Sequence, residues 1–171
     1  MSSNLKNLSE SVGEIPVLTN AKIGIITSEW NQHITFSMRD ACTTELNKYG
    51  VISNDITQIL VPGAFELPAA AGILLNSQKM DAVICIGCVI KGETKHDEYI
   101  SHAVATGIMQ LSLASGKPVI FGVLTPNDNQ QALDRAGGKH GNKGIEAAHT
   151  ALKMIHLAKE IKNKNNGTIG F

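Results

Sequence analysis

Four short aliphatic runs, each followed by a longer stretch of helical periodicity, constrain this chain more than any other feature of its sequence. The runs are Ile23 to Ile26, Ile56 to Val61, Ala82 to Ile86 and Pro118 to Leu124. Short apolar runs alternating with helices imply βαβ units and a parallel sheet. A helix is expected from Ile34 to Lys48, stopped by Gly50. Another follows the turn Pro62-Gly63 and runs to about Asn76. After the loop Gly87 to Thr94, a third helix carries Ile100, Val104, Ile108 and Leu111 on one face, and Gly116 ends it. From Asn127 the pattern reads as a short helix, a glycine-rich loop and a long final helix. On that last helix Ile145, Ala148, Leu152 and Ile155 share a face.

This order predicts a three-layer α/β sandwich around a four-stranded parallel sheet of flavodoxin-like order. One domain is expected over residues 21–161. A flexible N-terminal arm over 1–20, or a segment that orders on a neighbour, precedes it, and a polar, fraying tail over 162–171 follows. In such sheets ligands bind beyond the carboxyl ends of the strands, so the residues just after each apolar run carry the functional information.

Composition narrows the function classes. Lys+Arg and Asp+Glu number 15 each, so the chain offers no bulk attraction to nucleic acid or to an anionic membrane. No apolar run reaches the length of a membrane span, and Met1 to Asn20 has no signal-peptide apolar core. The expected location is the cytoplasm, which the three cysteines suit because an odd count does not make a disulfide framework. Cys85 and Cys88 form a C-x-x-C pair. A zinc site needs about four ligands and no second pair exists, so the pair reads as two small buried residues closing an apolar strand. His149 and His156 lie two helical turns apart, too far to share an ion, and no metal site is expected.

Each strand is followed by an unusual loop. After the first comes Ser28-Glu29-Trp30-Asn31, with the only tryptophan of the chain. Trp30 either plugs the sheet edge or offers a flat face to a heterocycle. After the second comes Val61-Pro62-Gly63-Ala64-Phe65-Glu66, where Glu66 either compensates a helix dipole or, with nearby backbone amides, offers acceptors and donors to a polyol. After the third, Thr94 is a natural N-cap with Asp97 three residues later, a variant capping box. The amides at this helix start also form an anion site that Gly92 lets a phosphate approach, with His96 one turn away. Beyond the fourth lies the basic, glycine-rich segment Arg135 to Gly144, either a solvated connector or a phosphate contact through Arg135. It lacks the ending of a Walker motif.

The stretches VPGAFELP, GCVIKGETKH, PVIFGVLT and RAGGKHGNKG occur in order, each associated with a predicted strand or helix start. Together they make the chain resemble lumazine synthase, the bacterial riboflavin-pathway enzyme, from about Lys22 to Leu157. The resemblance implies condensation of 5-amino-6-ribitylaminouracil with 3,4-dihydroxy-2-butanone 4-phosphate, releasing phosphate and water, with no metal and no organic cofactor. By position, Trp30 matches the aromatic that stacks on the pyrimidine. Ala64, Phe65 and Glu66 match the segment holding the ribityl chain, and Cys88, Val89 and Ile90 match the segment contacting the pyrimidine. Glu93 and Thr94 match the phosphate-binding pair, and His96 the proton-transfer residue. Phe121, Arg135 and Lys143 match groups that complete the site from an adjacent subunit, Arg135 on phosphate and Lys143 near the pyrimidine. Many bacterial members carry Phe at the place of Trp30 and Thr at the place of Cys88; neither change removes a charged group.

A shared site implies a ring, in this family a pentamer, which some members build into a shell of roughly 60 subunits. The short loop RAGGKHGNKG lacks the insertion of pentamer-only fungal relatives, which favours the shell, with riboflavin synthase as a candidate partner. Three readings compete with catalysis of this kind. One is a flavodoxin-like module that holds a flavin without turnover. Another is a shell protein that binds riboflavin without making it. The last is a Schiff-base enzyme using Lys91 or Lys143.

Overall fold

The computed structural model describes residues 13–166. Four parallel strands form its sheet: β1 (Ile23–Ser28), β2 (Ile56–Val61), β3 (Ala82–Cys88) and β4 (Val119–Leu124). Their spatial order is β2-β1-β3-β4, the doubly wound order expected from the sequence. β1 and β3 lie in the middle and every residue of both is buried, which is why their sequences are almost unbroken Ile, Val, Ala, Cys and Gly. β2 lies at an edge and exposes alternate residues.

Among the described residues, four helices cover the two faces. Helices α1 (Gln32–Lys48) and α5 (Lys143–Asn166) pack on one face, against Ile23, Ile25, Ile84 and Ile86. On the other face α2 (Leu67–Ser77) and α3 (His96–Ser115) pack against Ile26, Val83, Cys85 and Val123. The predicted apolar face of α3 is correct: Val104 and Ile108 are buried, and Ile100 and Leu111 are partly covered. Gly116 caps α3 at φ +63, a left-handed conformation that favours glycine. On α5, Ala148, Leu152 and Ile155 are in the core, and Ile145 is partly covered. At the start of α5, a Cβ on Gly144 would run into the Met38 carbonyl of α1, so glycine sets how closely these helices approach.

Between α4 (Asn129–Arg135) and α5, the predicted glycine-rich loop is a small antiparallel hairpin of β5 (Ala136–Gly138) and β6 (Gly141–Asn142). Two boundaries also differ from the sequence reading. Ile15 and Leu18, assigned to the N-terminal arm, are buried against this chain's own core, and the Leu18 amide donates to the Tyr49 carbonyl. The rest of the proposed arm, residues 1–12, lies outside the described residues. At the other end α5 continues past Ile161 to Asn166, so the first part of the predicted fraying tail is helical; residues 167–171 lie outside the described residues. No helix among the described residues is long and apolar enough to cross a membrane.

Cys85 and Cys88 are three residues apart on one strand. Their side chains therefore fall on opposite faces of the sheet and belong to different cores. Burial pushes the Cys85 thiol up to about 12 and the Cys88 thiol up to about 11, far from a reactive thiolate.

Candidate active site

A cleft of about 880 Å³ opens above the carboxyl ends of β1, β2 and β3. Each wall comes from one of the loops singled out in the sequence. Trp30 and Asn31 follow β1, and residues 62–66 follow β2. Cys88, Val89, Ile90, Gly92 and Thr94 lead from β3 into α3, whose first turns add His96, Asp97, Tyr99 and Ile100.

The loop after β1 is held by its neighbours. The Trp30 amide donates to the Pro62 carbonyl at 3.1 Å, which places the indole against Gly63; a Cβ there would lie 3.6 Å from the ring. Trp30 is 69% exposed and Phe65 58% exposed. Two large aromatic faces in one cleft, left open by their own chain, suit a planar ligand or a covering neighbour. Glu66 turns its carboxylate back to accept from the Gly63 amide at 3.0 Å. Asn31 adopts φ +61 and ψ +40 ahead of α1, and its side-chain amide donates to the Cys88 carbonyl at 3.1 Å. Asparagine tolerates this left-handed conformation better than most residues.

The start of α3 differs from its predicted capping. The helix begins at His96, with Lys95 rather than Thr94 at the N-cap. Thr94 is thus one residue too early for the predicted box, and its hydroxyl accepts from the His96 amide at 3.4 Å. Asp97 accepts from the Gly92 amide at 3.4 Å instead of closing on Thr94. Both bonds are long, so the amides at this helix start are only loosely engaged. His96 is exposed, and its ring makes no hydrogen bond among the described residues.

Four predicted site residues are not in this cleft. Glu93 is exposed beside it but does not line it. Phe121 and Lys143 line a second concavity of about 440 Å³ between β4, α3 and α5, and no residue lines both. Phe121 is 36% exposed although its neighbours along β4 are buried. Arg135, at the end of α4, is linked to Lys143 through Glu146, which lies 2.8 Å from the Arg135 guanidinium and 3.1 Å from the Lys143 ammonium. The two regions differ in charge: no Lys or Arg is among the residues lining the first cleft, and the second region carries two cations, both paired with Glu146.

Asn31, Tyr99 and Glu146 were not singled out from the sequence. Tyr99 was within reach of it, since it follows His96 by three residues on the same helix face. Asn31 acts through a contact between distant segments, and Glu146 through its contact to Arg135 on a separate helix; a linear pattern carries no signal for either, although the Glu146 pairing with Lys143 is an ordinary i,i+3 pair. Among the described residues no three His, Cys, Asp or Glu side chains are placed to hold a metal ion.

The family model described as 6,7-dimethyl-8-ribityllumazine synthase matches residues 20–159. A protein of that name from Cytophaga hutchinsonii is 52% identical over 155 residues, covering 91% of this chain and 98% of the relative. One from Porphyromonas gingivalis is 46% identical over 160 residues, covering 93% and 99%. One from Flavobacterium psychrophilum is 45% identical over 161 residues, covering 94% and 85%. With the doubly wound sheet, the loops above its carboxyl edge and matches across nearly the whole domain, the chain belongs to the 6,7-dimethyl-8-ribityllumazine synthase family.

Proposed function

We infer that this protein is the transferase that condenses 5-amino-6-ribitylaminouracil with 3,4-dihydroxy-2-butanone 4-phosphate to 6,7-dimethyl-8-ribityllumazine in riboflavin biosynthesis. The observation that carries the site assignment is the division just described. One cleft has aromatic faces, backbone polar groups and a histidine but no Lys or Arg, and a separate region of the same chain has the cations. A phosphorylated substrate needs both. The reading is a site closed between two copies of the chain, in a ring of five that assembles further into a shell of roughly 60 subunits.

In this reading Trp30 stacks on the pyrimidine and the backbone of Cys88, Val89 and Ile90 contacts its edge. Ala64, Phe65 and Glu66 hold the ribityl chain, with the Glu66 carboxylate already oriented by the Gly63 amide. Glu93 and Thr94 receive the phosphate at the start of α3, where the loosely held amides of Gly92 and His96 turn to it. Phe121, Arg135 and Lys143 arrive from the neighbouring copy. The pyrimidine's amine attacks the ketone and water leaves to give an imine. Phosphate is then eliminated to leave an enol that tautomerises to a ketone, and the second nitrogen attacks that ketone and a second water leaves as the ring closes. Much of the acceleration comes from holding two substrates in register. His96, exposed in the cleft and with a ring that makes no hydrogen bond among the described residues, moves protons among amine, carbonyl and leaving phosphate. Arg135 stabilises the departing phosphate. The cytoplasm is the expected location, and riboflavin synthase the expected partner where a shell encloses one.

The deciding experiment mixes purified protein with both substrates and follows lumazine fluorescence above the uncatalysed background. A catalysed rise is the expected result. Protein that binds riboflavin but gives no rise would support a flavin-holding or shell role and overturn the catalytic reading.

A further inference from the structure

Glu146 stands between the two cations of the second half-site. Its Oε2 accepts from the Lys143 ammonium at 3.1 Å, and its Oε1 lies 2.8 Å from Nη2 of Arg135. Arg135 uses another edge on its own chain, with Nη1 donating to the His140 carbonyl at 2.9 Å. All three side chains are partly buried. The two contacts of Glu146 are unequal. The one to Lys143 is a hydrogen bond. The one to Arg135 is close but off-axis: Oε1 is shut away from solvent and accepts no hydrogen bond among the described residues. Such a contact has Coulomb attraction without directional bonding, so it is the first to yield to a better-fitting anion. A phosphate is that anion, since its oxygens match the two-pronged donor edge of a guanidinium.

We propose that Glu146 is a resident counter-anion that competes with the substrate's phosphate, and with the phosphate released, for Arg135. This rests on the reading above that Arg135 meets the phosphate. In the empty site Glu146 holds Arg135 and Lys143 side by side. When the phosphorylated substrate arrives, Arg135 turns from Oε1 to the phosphate while Glu146 keeps Lys143. After elimination, Glu146 takes Arg135 back and inorganic phosphate departs. Glu146 is a positioning residue; it touches neither substrate.

The test is product inhibition of lumazine formation by inorganic phosphate, in wild type, E146Q and E146D, together with KM for each substrate. Glutamine has nearly the same shape and keeps an acceptor for Lys143 but removes the competing charge. E146Q is expected to be inhibited by phosphate about tenfold more tightly than wild type, the size of one charge-assisted hydrogen bond. KM for the pyrimidine should change less. Loss of structure would weaken phosphate binding, so tightening separates competition from a merely structural role. Unchanged or weaker inhibition, in E146Q protein with wild-type melting temperature and assembly size, would overturn the proposal. If E146Q does not fold, E146D reads the same question: its shorter carboxylate withdraws from Arg135, and inhibition no tighter than wild type overturns the proposal. Wild-type protein without turnover would sink the functional reading and this proposal with it. Normal turnover with weakened phosphate binding in R135A and unchanged inhibition in E146Q would sink this proposal alone.

Discussion

The side-chain amide of Asn31 donates to the carbonyl of Cys88 at 3.1 Å, across 57 residues of sequence, and ties the loop after β1 to the end of β3 inside the cleft. The backbone that follows Cys88 is the segment assigned to the pyrimidine. Asn31→Ala removes this bond and puts alanine at φ +61. It is expected to cost about 1–3 kcal/mol in denaturant unfolding and to raise KM for the pyrimidine. Asn31→Gly restores the backbone freedom but not the bond. It should therefore recover part of the stability and none of the KM, and full recovery of both would show that Asn31 serves only the turn.

His96→Ala should lower kcat by about 100- to 10,000-fold, the usual contribution of a positioned acid/base, without abolishing turnover. The remaining rate comes from holding the substrates together. Steady-state lumazine formation measures it, and complete loss in a folded, ligand-binding variant would contradict the division of labour.

Arg135→Ala should raise KM for the butanone phosphate far more than for the pyrimidine. In the proposed shared site Arg135 and His96 come from different copies of the chain, which makes co-assembly informative. Equal mixing of H96A and R135A chains before assembly should restore about a quarter of the sites, those pairing an intact cleft with an intact neighbour. Mixed assemblies no more active than the two separate variants would exclude a site shared between copies.

The cysteines should be inert in the native protein. Burial pushes Cys42 and Cys85 up to about 12 and Cys88 up to about 11, so little thiolate exists near neutral pH. Iodoacetamide near neutral pH should label none of the three in folded protein and all three in denaturant, counted by mass spectrometry. Rapid labelling of native Cys88 would reopen the C-x-x-C pair as a reactive site.

Glu45 on α1 meets His149 on α5 at 2.7 Å and Lys48 at 3.2 Å. Burial tends to raise its carboxyl, but hydrogen bonds from His149 and Lys48 outweigh this and hold it below its ordinary value of 4.5. A lowered carboxyl stabilises the fold fully above the unfolded value and loses that contribution as pH falls through the folded one. Urea unfolding should show E45Q less stable than wild type by about 1 kcal/mol near neutral pH. The difference should shrink as the solution is acidified through the folded value, and a difference independent of pH would assign the effect to packing.

Much of the fold was legible in the sequence because burial on both faces leaves a local mark. The all-buried patterns of β1 and β3 are written in their aliphatic runs, and Gly116 marks the end of α3 at a conformation that favours glycine. The loops above the carboxyl edge were legible for the same reason, since each begins where a buried run stops. Capping at α3 was misjudged by one residue, because Thr94 and Lys95 both fit a helix start and only the path of the loop from β3 decides between them. Ile15 and Leu18 were missed because the apolar residues of residues 1–20 are scattered among polar ones and broken by Gly13 and Pro16; contact with the core alone identifies them.

Neighbours along the chain carry the order of the four sheet strands and their helices, the family and the inventory of chemical groups, but not the small β5–β6 hairpin. Tertiary structure decided which groups meet. Sheet order and helix packing put Trp30, Glu66, Thr94 and His96 around one cleft, sent Phe121 and Lys143 to another, and set Glu146 between Arg135 and Lys143. The physical reason is that distances between separate elements follow from how their buried faces pack, a property no periodicity within one element records.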